Sequence, residues 1–374
     1  MNQIFHYVSE RGIYPVGNYF PASGKGAGEE NRRHRAIINL RLRVSRNIGK
    51  YPFPTALARR PSFFYKTSEE IWERVSEFLS KESVFRRVGE GCYKFYLPQL
   101  KKRERIFLVE RRVISPDMIK SVIPSGVVFS KDEKYIAMIN EEDHLRIGVN
   151  DTRCPMDEDL PDALFSLVER MDKIFSFARS EEYGYLTSCP SNLGGGLRLS
   201  AIFHLGGAVL AREIDGILET AEKNGYYVRG YYGEKSRYYG DVFQISTIYS
   251  PDGKDALRKA FDFFLKIEES ELKFRDKLLK DRRAEDIIWR AWGALTSARL
   301  MSFAKASSAI SIVMVGKDIG TGLPPVKKEV LDRLLVECQP AHIEMISGAT
   351  KPMSAFERDS LRAQYIRKTI LQEQ

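Results

Sequence analysis

Residues 135–149 read as two apolar segments, Tyr135–Asn140 and Leu145–Val149, joined by Glu141-Glu142-Asp143-His144. A connection this short can only join antiparallel strands, because parallel neighbours need a crossover of about a dozen residues. Ile106–Val109, Gly126–Ser130, Tyr226–Arg229 and Val242–Ser246 have the same strand-like character. Neighbouring strands without intervening helices predict an α+β fold, an antiparallel sheet flanked by helices.

Helical patterns surround these strands. Thr67 and Glu70 form a capping-box pattern ahead of Ile71, Val75, Phe78 and Leu79, which share a face. Helices are expected over Pro161–Ala178 and from Ala201 to Lys223, the second ending at Gly225. From about Asp255 the pattern is almost wholly helical. Ile287, Ile288, Ala291, Trp292 and Leu295 fit one apolar face, and Val330, Leu331, Leu334 and Leu335 another. These patterns divide the chain into a loose leader (1–30), a mixed domain (31–270) and a C-terminal all-helical domain (271–374).

Composition excludes several function classes. With 374 residues and 43% hydrophobic content, the chain can bury a sizeable core. No apolar run is long enough to cross a bilayer and no signal-peptide core opens the chain, so a cytoplasmic location with no membrane partner is expected. The four cysteines, Cys92, Cys154, Cys189 and Cys338, form no CxxC pair, and the five histidines have no ligand spacing. No protein-held metal site is expected. Lys and Arg exceed Asp and Glu by 59 − 50 = 9. That excess favours anionic partners, but it is spread along the chain with no nucleic-acid-binding module, so nucleic acid is not expected among them.

Five segments concentrate charge or glycine. In Asn39-Leu40-Arg41-Leu42-Arg43-Val44-Ser45-Arg46-Asn47, strand alternation puts Arg41 and Arg43 on one face. A phosphate between them would relieve their repulsion. Asn140-Glu141-Glu142-Asp143-His144-Leu145-Arg146 sets three acids side by side, suited to a guanidinium or a magnesium ion. Cys189 precedes Gly194-Gly195-Gly196-Leu197-Arg198, where glycines would let backbone amides approach an anion just before a helix. Among cations, the Cys189 thiol would act as a thiolate. Arg229-Gly230-Tyr231-Tyr232-Gly233-Glu234 again joins an arginine to a carboxylate at a strand end. Arg358-Asp359-Ser360-Leu361-Arg362-Ala363 sets two arginines on one helix face, able to clamp a phosphate. Each segment alone also has a plain reading as a solvated strand face, a polar turn or a charged surface helix.

Together these segments resemble the ATP:guanido phosphotransferases, the family of creatine and arginine kinases, over roughly residues 37–270. Asn140–Arg146 and Cys189–Arg198 are the most diagnostic stretches. The likeness is strongest to the bacterial protein-arginine kinases. The separate helical N-terminal domain of the small-molecule enzymes is absent, a helical C-terminal domain is added, and Arg358–Ala363 matches their RDxxRA phosphoarginine motif. The resemblance implies a glutamine-synthetase-like antiparallel sheet. It implies ATP and magnesium as cofactors, Arg41, Arg43, Arg146, Arg198 and Arg229 on phosphates, and Glu142, Glu234 and Cys189 as catalytic residues. It further places Asn39, Leu40, Leu42, Arg112, Leu199, Ser200, Ala201, Ile202, Gly230, Tyr231, Tyr232 and Gly233 at the nucleotide. Arg358, Asp359, Arg362 and Ala363 would form a phosphoarginine pocket. Expected partners are arginine-bearing proteins, a Clp-type chaperone-protease, an activator protein and a second copy of the chain. A kinase of a small guanidino metabolite and a non-catalytic phosphoarginine-binding adaptor are the alternatives.

The chain departs from the family pattern in three places. Asn39-Leu40 stands for Ser-Ser, and Arg112 aligns with a histidine that touches nucleotide. Gly194-Gly195-Gly196-Leu197-Arg198-Leu199 stands for GTGMRA, and the added glycine is expected to loosen that loop.

Overall fold

The computed structural model describes residues 35–86, 91–151, 156, 159–230, 239–248, 253–349 and 351–372. The expected leader, Cys154 and residues 231–234 lie outside the described residues. The strands are β1 (Ile37–Arg46), β2 (Cys92–Tyr96), β3 (Gly126–Ser130), β4 (Tyr135–Ile139), β5 (Leu145–Asp151), β6 (Arg179–Ser180), β7 (Gly184–Tyr185), β8 (Leu197–His204), β9 (Tyr226–Arg229) and β10 (Val242–Thr247). Eight of them form one sheet in the order β2-β3-β4-β5-β1-β8-β10-β9, and β6 pairs with β7. The pairs β2–β3, β3–β4, β4–β5 and β5–β1 are antiparallel, with Arg43 opposite Gly148 and Ser45 opposite Arg146.

The helices are α1 (Pro54–Arg59), α2 (Tyr65–Lys81), α3 (Lys102–Glu110), α4 (Asp159–Phe175), α5 (Gly206–Leu210), α6 (Ile214–Lys223), α7 (Gly253–Leu278), α8 (Arg282–Ser297), α9 (Phe303–Asp318), α10 (Lys328–Glu337), α11 (Pro340–Ile346) and α12 (Ala355–Gln372). Two compact units arise. The first is built from Leu40–Ser200 and Ser246–Phe261, the second from 35–39, Ala201–Ile245 and Asp262–Gln374. In the first, α2 packs on β3 and β4 through Ile71, Trp72, Val75 and Leu79, and α4 packs on β5. In the second, α9 packs against α8 and α10, burying Ile288, Trp292, Ile310, Leu331 and Leu334.

The second unit also buries a charged network. Arg275 on α7 pairs with Glu271 at 2.7 Å and with Asp318 at 2.6 Å, and donates to the His204 carbonyl. Both Glu271 oxygens accept backbone N–H groups, from Gly207 and Ala208. Such a network tolerates burial only because nearly every charge in it has a partner.

Four sequence expectations need correction. Ile106–Val109 is part of α3 and not a strand. Four apolar residues are too few to set a period, and the Lys101 N–H, donating to Glu104, closes a helical N-terminus. Residues 201–204 continue β8, and helix begins only at Gly206. The glycine triplet therefore leads into a strand. Helix α2 starts at Tyr65, so Thr67 lies inside it and Glu70 accepts from the Tyr51 hydroxyl. Ile287 is exposed, while the rest of its predicted face is buried.

Candidate active site

The acidic connection of the β4–β5 hairpin is the starting point. Asn140 takes a left-handed conformation, φ 54°, which asparagine tolerates well, and its N–H donates to the His144 carbonyl at 3.0 Å to close the turn. Its side-chain amide donates to the carbonyls of Ser68 and Pro124, fixing the hairpin to α2. The three acids then separate by environment. Glu141 is 3% exposed; it pairs with Arg146 and accepts from the Ser115 hydroxyl at 2.6 Å. Burial would raise its carboxyl, but Arg146 and these donors hold it below the usual range. Asp143 is buried and accepts from Asn47 and from the Ser188 N–H, both at 2.7 Å. Glu142 alone is partly open, with its side chain 39% exposed, and it accepts from Arg146 at 2.7 Å. Burial raises its carboxyl, Arg146 opposes the shift, and Glu141 and Asp143 add to it.

The arginines converge on the same unit. Strand alternation sends Leu40 and Leu42 into the core, while Arg41 and Arg43 share the other face. The Arg41 guanidinium donates to Asn150 at 2.8 Å and to the Arg112 carbonyl at 3.1 Å. Arg112 sits in the left-handed region, φ 55°. Arg43 lies deep, its Nε without a hydrogen-bond partner. Burial pushes its guanidinium well below its ordinary pKa, and the nearby charges of Arg146, Arg198 and Arg41 push it further. Arg146 is held above its ordinary value by Glu141, Glu142 and Asp143 against the effect of burial. Arg198 donates to the Ser191 hydroxyl at 3.1 Å, which is itself 3.1 Å from the Cys189 thiol. Glu142, Cys189, Arg41, Arg43, Arg112, Arg146 and Arg198 thus belong to one unit. Asn39 is buried in the second unit, as are Ala201 and Ile202, while Leu199 and Ser200 fill strand interior. Arg229 ends β9, with its guanidinium over the Tyr227 ring, and Gly230 follows it. Tyr231, Tyr232, Gly233 and Glu234 lie outside the described residues.

A short stretch at the end of β1, residues Ser45 to Ile48, supports both loops. The Ser45 N–H donates to the Gly196 carbonyl at 2.8 Å, and Arg46 donates to the Gly195 carbonyl at 2.8 Å. Asn47 donates to Asp143 and accepts from the His144 N–H. The Ile48 N–H donates to His144 Nδ1 at 3.0 Å, so Nε2 carries the proton and donates to the Pro52 carbonyl. Burial depresses that imidazole to about 4, keeping it neutral. The Tyr185 N–H donates to the Gly194 carbonyl at 3.0 Å. All three carbonyls of the triplet are therefore tied, and the loop is not loosened by its added glycine. Arg46 and Asn47 lay in the sequence just after the paired arginines. Their proximity to Arg43 was the one available signal for them; nothing in the sequence pointed to Tyr185 or to the supporting role of Asp143.

In α12, Arg358 pairs with Glu344 at 2.9 Å. Arg362 is fully buried and donates to the carbonyls of Cys338 and Met301 and to Asp359. Ala363 is packed in the core. Arg362 thus spends two of its guanidinium nitrogens within the fold.

Comparison with known proteins identifies the family. Residues 70–250 match the ATP:guanido phosphotransferase C-terminal catalytic domain, and residues 281–374 match the protein-arginine kinase McsB C-terminal domain. The chain is 32% identical to a protein-arginine kinase of Desulforamulus reducens over 95% of this chain and 97% of that one. It is 34% identical to one from Pelotomaculum thermopropionicum, over 89% of this chain and 91% of that one. The duplicated taurocyamine kinase of Schistosoma mansoni shares the fold, with a TM-score of 0.54 at 19% identity over 78% of this chain; the chain spans 43% of that protein's length. On these grounds the chain belongs to the protein-arginine kinases, within the ATP:guanido phosphotransferase family.

Proposed function

We propose that the chain transfers the γ-phosphoryl group of ATP to the guanidinium group of arginine residues in proteins. The observation that carries this reading is Arg43, buried beside Arg146 and Arg198 with its Nε unpaired. Such a concentration of buried cations is built for a polyanion. Glu142, the open carboxylate next to it, suits a cation. A guanidinium is a poor nucleophile, because its lone pairs are delocalised. Glu142 would accept its N–H groups, aim one nitrogen at the γ-phosphorus and take up its proton. The P–N bond forms as the bond between the γ-phosphorus and the bridging oxygen of ADP breaks. The arginines neutralise charge on the equatorial oxygens.

Among the described residues no group of three or more His, Cys, Asp or Glu could hold a metal ion. Magnesium would enter as part of the MgATP substrate, carried by phosphates and waters. Cys189 joins the site through Ser191 and Arg198. Arg229 and Glu234 are assigned to phosphate and acceptor by resemblance alone. A homodimer, an activator protein, a Clp-type protease partner and a cytoplasmic location rest on the same ground. No helix among the described residues is long and apolar enough to cross a membrane.

The test is mass spectrometry, under non-acidic conditions, of an unfolded arginine-rich protein after treatment with MgATP, beside a parallel reaction on free arginine. Phosphate on protein arginine is expected; transfer to free arginine alone would establish a small-metabolite kinase instead. Glu142→Gln is expected to lower kcat by about a hundredfold or more, while ATP still binds. Full activity in that variant would remove Glu142 from the chemistry.

A second reading concerns α12. Arg358, 27% exposed and held by Glu344 and the Met353 carbonyl, would exchange those partners for a phosphoarginine phosphate. Asp359 would receive the guanidinium.

A further inference from the structure

The glycine loop ahead of Arg198 is held by neighbouring segments, and one of these turns on a single side chain. Arg46 ends β1 with its guanidinium 3.6 Å above the Tyr185 ring. One of its nitrogens donates to two carbonyls, its neighbour Ser45 and Gly195, both at 2.8 Å. Tyr185 holds the other side of the same loop, its N–H on the Gly194 carbonyl and its hydroxyl on Asp172 at 3.0 Å. Arg179 donates to that hydroxyl at 2.7 Å, so the ring is fixed at its edge as well as its face. The loop fits closely. A Cβ on Gly196, φ +63°, would lie 2.4 Å from Arg46 Nη1 and 2.6 Å from the Ser45 carbonyl oxygen. Two residues later the chain presents Arg198, which donates to the Ser191 hydroxyl at 3.1 Å.

Three consecutive glycines have no intrinsic preference for this path and would sample many others. The three anchored carbonyls select one. Two of the anchors are backbone N–H groups, available to any sequence. The third is Arg46, whose planar guanidinium combines a stack on an aromatic ring with a directed hydrogen bond, a combination lysine lacks.

We infer that Arg46, seated on Tyr185, is a positioning residue for phosphoryl transfer: it holds the Gly194–Gly196 loop and through it aims Arg198. The inference rests on the kinase reading for its catalytic meaning. The Arg46 guanidinium is engaged with the Ser45 and Gly195 carbonyls and the Tyr185 ring, so its removal is expected to act through the loop, at the phosphate end. Arg46→Met is expected to lower kcat by about tenfold or more and to raise the KM for ATP, leaving the KM for the protein acceptor unchanged. Arg46→Lys restores the hydrogen bond without the stack and is expected to recover part of the loss.

The deciding experiment is a double-mutant cycle with Arg198→Ala, read together with amide hydrogen exchange at Tyr185 and Ser45, the donors to the loop. If Arg46 acts through Arg198, Arg46→Met costs much less kcat in the Arg198→Ala background than in the wild type. Exchange at the Tyr185 amide is expected to quicken in Arg46→Met. Equal losses in both backgrounds would reduce Arg46 to a structural residue and overturn the proposal, as would kcat within about twofold of wild type with unchanged exchange. Should Arg46→Met fail to fold, Tyr185→Leu removes the seat and leaves the arginine, and the same cycle applies. A wild-type chain without transferase activity would sink the kinase reading and the catalytic meaning of Arg46 with it, while exchange alone would decide its hold on the loop.

Discussion

Two adjacent glutamates in one turn have opposite fates. Glu141 is locked against Arg146 and Ser115, whereas Glu142 keeps one face open and a raised carboxyl. The sign of the pH dependence follows. If Glu142 holds the acceptor as proposed, only its ionised form can accept from a guanidinium, and acceptor turnover is expected to fall as pH drops through its pKa. Because that pKa is raised, the acid limb of kcat/KM for the acceptor lies above the ordinary glutamate range. Glu141 and Asp143 contribute to the shift, so Glu141→Gln should move the limb to lower pH, with reduced kcat from the disturbed Arg146. A pH–rate profile of both proteins checks this; a limb that stays put or moves upward removes Glu142 as the titrating group.

Among elements, the buried charges of the second unit are the most exposed to damage. Arg275→Met would leave Glu271 buried without its cation and Asp318 with Lys328 alone, at a cost of about 3–5 kcal/mol, to be read from the urea midpoint. The sequence made some elements plain and hid others for identifiable reasons. The β3–β4–β5 meander was legible because its connections are too short for anything but antiparallel pairing. Strand β8 was not: seven of its eight residues are buried, so its apolar run carries no period of two and reads equally as helix. Helix α3 was hidden in the same way, by four apolar residues among charged ones. The site's arginines and Glu142 stood out as charge in unusual company. Their supports did not, because Arg46, Asn47, Asp143 and Tyr185 act on backbone groups brought near only by the fold.

At the scale of the whole molecule, the candidate catalytic residues and the C-terminal RDxxRA motif fall in separate units, and the two arginines of that motif have unequal duties. Arg362 holds α12 to the Cys338 and Met301 carbonyls, whereas Arg358 sits at the edge, paired with Glu344. Arg362→Ala should therefore lower the melting temperature by several degrees, and Arg358→Ala should leave it nearly unchanged. If the second reading holds, Arg358→Ala also loses affinity for a phosphoarginine peptide while keeping ATP turnover. Differential scanning calorimetry with peptide titration separates the cases, and undiminished peptide binding in Arg358→Ala would end the pocket assignment.

The stretch from Ser45 to Ile48 has a consequence for how this chain can vary. Each of its four residues engages a different point on one of two loops, successive residues serving the glycine triplet and then the acidic hairpin. It works as a ruler with two marks, and its length is the quantity that matters. Point substitutions of Arg46 or Asn47 remove only that side chain's own contacts. Deleting or inserting one residue slides every contact beyond it, and in a strand also turns each side chain to the opposite face. This short segment should be closed to length change, and at Ser45 and Ile48, whose contacts are made by backbone N–H groups, it should be tolerant of side-chain identity.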